Sequence, residues 1–211
     1  MLSINEVFGL AEKNRFEEVL KILNEENFDQ YTKNVYKHTI WHKFAWKNNI
    51  EAIKIALNDY KFDQYTKDNS GKTIWHILAY KNNLEAIKIG LNDYKFDQYT
   101  KDNNGITIWH NFAWKKNIKA IKICLQEYKF DQYTKDKYGW TIWHNFALWH
   151  NHLEVIKLAI REYNFNIKLI NRGDKMIKIY NKIYGQNNKK ILIMYINYVN
   201  ENIIRYIYKL Y

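Results

Sequence analysis

Apolar and polar positions along the chain fall into two short helical patterns joined by turns. Thr73 precedes a run whose apolar positions are Ile74, Trp75, Leu78 and Ala79. That spacing gives one buried helical face. A threonine at the start accepts an N–H bond that the first turn leaves free. Lys81-Asn82-Asn83 interrupts the helix. Leu84, Ile87, Ile89 and Leu91 then supply a second, broader apolar face. Asp102-Asn103-Asn104-Gly105 has turn chemistry, with glycine providing a positive φ and Asp and Asn bonding back to nearby backbone. The pattern predicts helix–turn–helix–loop, and neither short helix buries its apolar face alone.

The pattern recurs. Thr39-Ile40-Trp41-His42 returns at Thr73-Ile74-Trp75-His76, Thr107-Ile108-Trp109-His110 and Thr141-Ile142-Trp143-His144, each time 34 residues on. The alanines Ala45, Ala79, Ala113 and Ala147 keep the same step, and Ala11 extends it backwards. A second block, FDQYTK, begins at Phe28, Phe62, Phe96 and Phe130. A period of this size marks a stack of repeats that bury their faces against one another. The expected fold is an all-α solenoid of about five helix–turn–helix units followed by a helical C-terminal cap. Its expected divisions are a degenerate capping repeat over 1–33, four repeats over 34–170 and a basic helical cap over 171–211.

The residues Asp68-x-x-Gly71-x-Thr73-Ile74-Trp75-His76-x-x-Ala79, followed by Leu84-Glu85-Ala86-Ile87-Lys88, resemble the ankyrin repeat. The resemblance covers roughly residues 1–170. It implies that Thr39, Thr73, Thr107 and Thr141 and their partners His42, His76, His110 and His144 are framework. The histidine holds the threonine and bridges to the next repeat. The departures from the family pattern are systematic. The family proline is Ile40, Ile74, Ile108 and Ile142, and the leucine after it is Trp41, Trp75, Trp109 and Trp143. Losing proline raises the entropy of the unfolded chain, and the larger tryptophan core is expected to offset it. Lys37 stands where the turn glycine belongs, which predicts an irregular first hairpin. The fifth unit carries one extra residue around Trp149–His152.

Composition narrows the function classes. The 211 residues include 47% apolar and 17% aromatic residues, which argues against disorder. The single Cys124 excludes an internal disulfide framework. It shares its repeat position with Ala56 and Gly90 and reads as core filler. No apolar run has the length of a membrane span, and the acidic residues near the start do not suit a signal peptide. A cytoplasmic setting, in the protein's own cell or a host cell, is expected. There is no proline and only four arginines. With abundant Lys, Asn, Ile and Tyr, that matches an A/T-rich coding source, in a microbe, parasite or large DNA virus.

The charge is uneven. Of the net +11, residues 164–211 carry nine basic and two acidic side chains, net +7, leaving +4 for the rest. The tail over 171–211 is therefore a candidate contact to RNA or a ribosome. Codon bias accounts for much of the lysine richness, and with so few arginines it is the better account of the charge.

Catalysis has no support. Nucleophile-elbow, P-loop and zinc-protease motifs are missing from the sequence, and the recurring histidines are spaced one per repeat rather than converging on an ion. No metal and no cofactor are expected. Binding is better supported. The ankyrin resemblance implies a recognition surface of hairpin tips, outer ends of first helices and the turns after them. Carried over by position, it comprises Trp46, Lys47, Tyr80, Lys81, Trp114, Lys115 and Trp149 on the helices. On the hairpins it comprises Lys72, Ile106, Tyr138 and Trp140. Trp46–Tyr80–Trp114 reads as an aromatic stripe flanked by lysines on a concave face. The competing reading is packing between repeats. The expected partner is an acidic protein, bound by a non-enzymatic monomer.

Overall fold

Four of the threonines precede helices, each with its hydroxyl against the ring of the histidine three residues on, and Thr39 and Thr73 also accept that histidine's N–H. In the computed structural model, described over residues 2–25, 28–147, 159 and 162–163, the helices come in pairs. They are α1 (Ile4–Glu12) with α2 (Phe16–Glu25), α3 (Ile40–Trp46) with α4 (Ile50–Asn58), α5 (Ile74–Tyr80) with α6 (Leu84–Asn92), α7 (Ile108–Trp114) with α8 (Ile118–Gln126), and α9 (Ile142–Ala147). All regular elements among the described residues are helices. Contacts divide the chain into Met1–Ala159 and Ile160–Tyr211, and of the second unit only Glu162 and Tyr163 are described. The expected cap over 171–211, Trp149 and the insertion near 149–152 lie outside the described residues.

First helices pack on one another in series, α1 on α3, α3 on α5, α5 on α7 and α7 on α9, and α1, α3, α5 and α7 each also pack on their own second helix. This is the solenoid arrangement: each unit shares its core with its neighbours. Trp41, Trp75 and Trp109 are the largest fully enclosed side chains. Each indole N–H is satisfied by the FDQYTK glutamine eleven residues earlier. Trp41 donates to Gln30 Oε1 at 2.9 Å, Trp75 to Gln64 at 2.9 Å, Trp109 to Gln98 at 2.8 Å and Trp143 to Gln132 at 2.8 Å. The first three glutamine amides donate in turn to the carbonyls of Tyr60, Tyr94 and Tyr128 at 2.8–2.9 Å. The Trp-for-Leu exchange thus enlarges the core without orphaning a buried donor.

The turns use side chains where glycine is absent. Asn14, Asn48, Asn82 and Lys116 take positive φ between the helices of a pair, and Lys61, Lys95 and Lys129 do so after the second helix. The first hairpin is regular, contrary to the expectation drawn from Lys37. Lys37 adopts φ 54° and its N–H donates to Asn34 O at 2.8 Å. Gly71 at φ 75° donates to Asp68 O at 3.0 Å in the same way. Asn34 Oδ1 accepts from Tyr36 and His38 N–H, as Asp68 Oδ1 accepts from Ser70 and Lys72 N–H. The hydrogen bonds around the turn hold its geometry and the lysine backbone conforms, at a steric cost glycine avoids.

Candidate functional site

Each framework histidine engages its threonine, and three of the four also reach the next repeat. Thr39 Oγ1 lies 2.8 Å from His42 Nδ1, Thr73 Oγ1 2.9 Å from His76 Nδ1, and Thr107 and Thr141 2.8 Å from His110 and His144. On the other side of the ring, His42 Nε2 meets Lys72 O at 3.3 Å, His76 Nε2 meets Ile106 O at 3.1 Å and Thr100 O at 3.2 Å, and His110 Nε2 meets Trp140 O at 3.2 Å. Carbonyls accept only, so Nε2 carries the proton and Nδ1 accepts from the threonine hydroxyl. Burial pushes His42, His76 and His144 down to about 4 and lowers His110. The rings of His42, His76 and His110 are neutral struts between repeats. Among the described residues no group of His, Cys, Asp and Glu is placed to hold a metal ion.

The aromatic and lysine residues of the expected contact surface divide into a cluster and outliers. Trp46 and Tyr80 meet edge to face, with ring centroids 5.7 Å apart. Lys115 Nζ lies 3.9 Å from the Tyr80 ring centroid and Lys72 Nζ lies 5.5 Å from it. Tyr80 therefore receives two cations rather than Trp114. Trp114 stands 47% exposed, with no ring partner among the described residues. Tyr138 is exposed and Trp140 half-buried. Ile106 and Trp140 serve the framework through their backbone: each N–H donates to Asp102 or Asp136 Oδ1, and each carbonyl receives a histidine Nε2–H. Lys47, Lys81 and Lys115 sit at the C-terminal ends of α3, α5 and α7, where the helix dipole favours a cation. Lys13 at the end of α1 is a fourth member of that row.

Several exposed or chemically distinct residues beside this face lie on the first hairpin of the four full repeats, outside the expected contact set. Val35 is 85% exposed and Tyr36 62% at the tip of the first hairpin, where the sibling tips carry Asn69-Ser70, Asn103-Asn104 and Lys137-Tyr138. His38 occupies the repeat position of Lys72, Ile106 and Trp140. Its Nε2 lies 3.3 Å from Asp68 Oδ2. Burial raises the Asp68 carboxyl, but the His38 hydrogen bond and the N–H groups of Lys72 and Ser70 outweigh it and hold the group below its usual value. Asp102 lacks such a histidine, and burial leaves it raised. Column-by-column comparison at the 34-residue step would have found His38, because Lys72, Ile106 and Trp140, its equivalents in the next three units, all differ from it and from one another.

Glu12, the counterpart of Trp46 in the first unit, pairs with Lys43. Trp46 differs from the core tryptophans in that its buried Nε1 has no acceptor. An orphaned donor costs about 1–3 kcal/mol, so pure packing would be better served by phenylalanine.

Comparison with known proteins agrees with the geometry. Residues 75–171 match the family model of ankyrin repeats, in three copies. The equivalent threonine–histidine helix at Ile40–Trp46 lies before the matched stretch. No curated protein matches the chain.

Proposed function

We infer, since this is an ankyrin-repeat protein and such repeats generally mediate protein–protein interaction, that the chain is a non-enzymatic binding scaffold whose concave face takes an acidic protein partner. The observation that supports this most is the Trp46–Tyr80–Lys115 cluster. One edge-to-face contact at 5.7 Å and one cation–π contact at 3.9 Å tie three successive repeats into a single half-exposed patch. Aromatic side chains held rigidly at a surface lose little entropy on binding, and tryptophan and tyrosine dominate interface energies. The lysine row Lys47, Lys81 and Lys115 selects for negative charge. Trp114, exposed and without a ring partner, extends the patch by one repeat.

The test is capture of partner protein by the purified chain from nuclease-treated extract. Trp46→Ala combined with Trp114→Ala abolishes capture, and removing residues 171–211 leaves it intact. The second reading places the partner at the tail, whose charge favours it. On that reading truncation alone abolishes capture, and binding of RNA falls steeply with salt.

A further inference from the structure

The first helix lacks a side chain where its neighbours carry one. Gly9 occupies the repeat position of Lys43, Ile77 and Asn111. It lies inside α1, where glycine weakens a helix. A Cβ there would meet nothing within 4 Å, so close packing does not call for glycine. The missing side chain opens onto a cleft of about 590 Å³, which Trp46, Lys47, Lys13 and His38 also line. That volume is in the range of small-ligand sites.

The cleft has two chemical halves. Gly9 and the Trp46 ring offer apolar surface. Glu12 and Lys43 neutralise each other at its edge. Lys13 and Lys47 then remain as cations with no ion pair among the described residues, and both are exposed. Val35 and Tyr36 stand exposed on the hairpin that delivers His38.

We propose that this cleft is the anchor subsite of the binding face, and that it takes an acidic peptide segment in which an aliphatic side chain adjoins a carboxylate. The aliphatic group fills the space left by Gly9 and packs on Trp46. The carboxylate lies between the ammonium groups of Lys13 and Lys47. A nucleic acid would instead stack a base on Trp46 and set phosphates on the lysines, and a single-stranded oligonucleotide that binds the purified chain and loses binding in Gly9→Leu, where no enriched peptide does, overturns the proposal. The proposal rests on the reading of this face as the partner surface, and it adds where the specificity resides.

The experiment is selection of peptides from a random display library on the purified full chain, followed by affinity measurement on the enriched peptides. Enriched sequences carry Leu, Ile or Val next to Asp or Glu. Gly9→Leu fills the cleft, improves the helix and keeps the fold, as denaturation verifies. It weakens the peptides at least tenfold, and Lys13→Glu with Lys47→Glu does the same. Enriched peptides that lack the pattern, or that bind Gly9→Leu unchanged but lose binding in Trp114→Ala, overturn the subsite and leave the wider face standing. Peptides indifferent to both variants, or no enrichment at all, overturn both.

Discussion

The indole Nε1 of Trp75 donates to Gln64 Oε1 at 2.9 Å, and the Gln64 amide passes the chain of bonds on to Tyr94 O at 2.9 Å. A residue from the loop before the helix thereby ties the core tryptophan to the turn after the second helix. Gln64→Leu strands the indole donor and the Tyr94 carbonyl, and is expected to cost about 1–3 kcal/mol in urea denaturation. In a Trp75→Leu background the same change costs less, because the donor is gone. A coupling below ~0.5 kcal/mol between the two sites would contradict this role.

Acid weakens the solenoid through its histidines. His42, His76 and His144 sit near 4 in the fold, against an ordinary 6.5, because burial disfavours the charged ring. The unfolded chain therefore binds more protons than the folded one between those values. The stabilisation is complete above pH 6.5 and is lost as pH falls towards 4. The lowered Asp68 acts in the same direction and the raised Asp102 against it, both in the carboxylate range. Denaturation midpoints are expected to drop from pH 7.5 to pH 4.5, and a flat profile would show that the rings are not neutral struts. His76→Asn flattens part of the drop.

Lys37 and Gly71 occupy the same turn position with the same sign of φ. Lys37→Gly relieves a left-handed lysine and is expected to stabilise by up to about 1 kcal/mol, measured by thermal denaturation. Gly71→Ala has no such freedom: its Cβ would meet Asn103 Oδ1 at 2.2 Å and the Asn103 nitrogen at 2.7 Å. Together with the strained φ, this is expected to cost more than ~1 kcal/mol. Equal and opposite small effects would mean the hairpins do not stack tightly.

Trp109 and Trp114 separate stability from recognition. Trp109→Ala empties a fully enclosed site and is expected to cost about 3–5 kcal/mol. Trp114→Ala removes a ring that is 47% exposed, and is expected to change stability by about 0.5 kcal/mol or less while reducing partner capture. A large loss of stability in Trp114→Ala would assign that ring to packing.

Much of the fold is legible in the chain because the repeat writes each local signal several times. Threonine before an apolar run, asparagine after it and glycine in the hairpin each act within a few residues. What is not legible acts across repeats or depends on a missing atom. The tryptophan acceptor lies eleven residues away in a loop, beyond the reach of helical periodicity. Lys37 breaks the glycine rule, yet Asn34 and the surrounding bonds hold its turn. Tyr80 takes a cation from the following repeat, which a stripe of aromatics along the sequence does not reveal. Gly9 is conspicuous only beside Lys43, Ile77 and Asn111.

The ties between neighbouring repeats have a direction. Asn83 donates to Asn48 at 2.7 Å and Asn117 donates to Asn82 at 2.8 Å. Tyr94 donates to Asn58 at 3.0 Å and Tyr128 to Asn92 at 3.1 Å, while Lys67 donates forward to Lys101 O at 2.9 Å and Lys101 to Lys135 O at 2.9 Å. Among the described residues these asparagine, tyrosine and lysine ties recur one period apart. Excising one full period between equivalent positions therefore rejoins matching partners, and duplicating one inserts a unit already keyed to both neighbours. Length in this chain is a genetic variable separable from these recurring bonds, changed by unequal exchange of the gene, and only ties that occur once, such as Glu12–Lys43 and His38–Asp68, depend on which unit is moved.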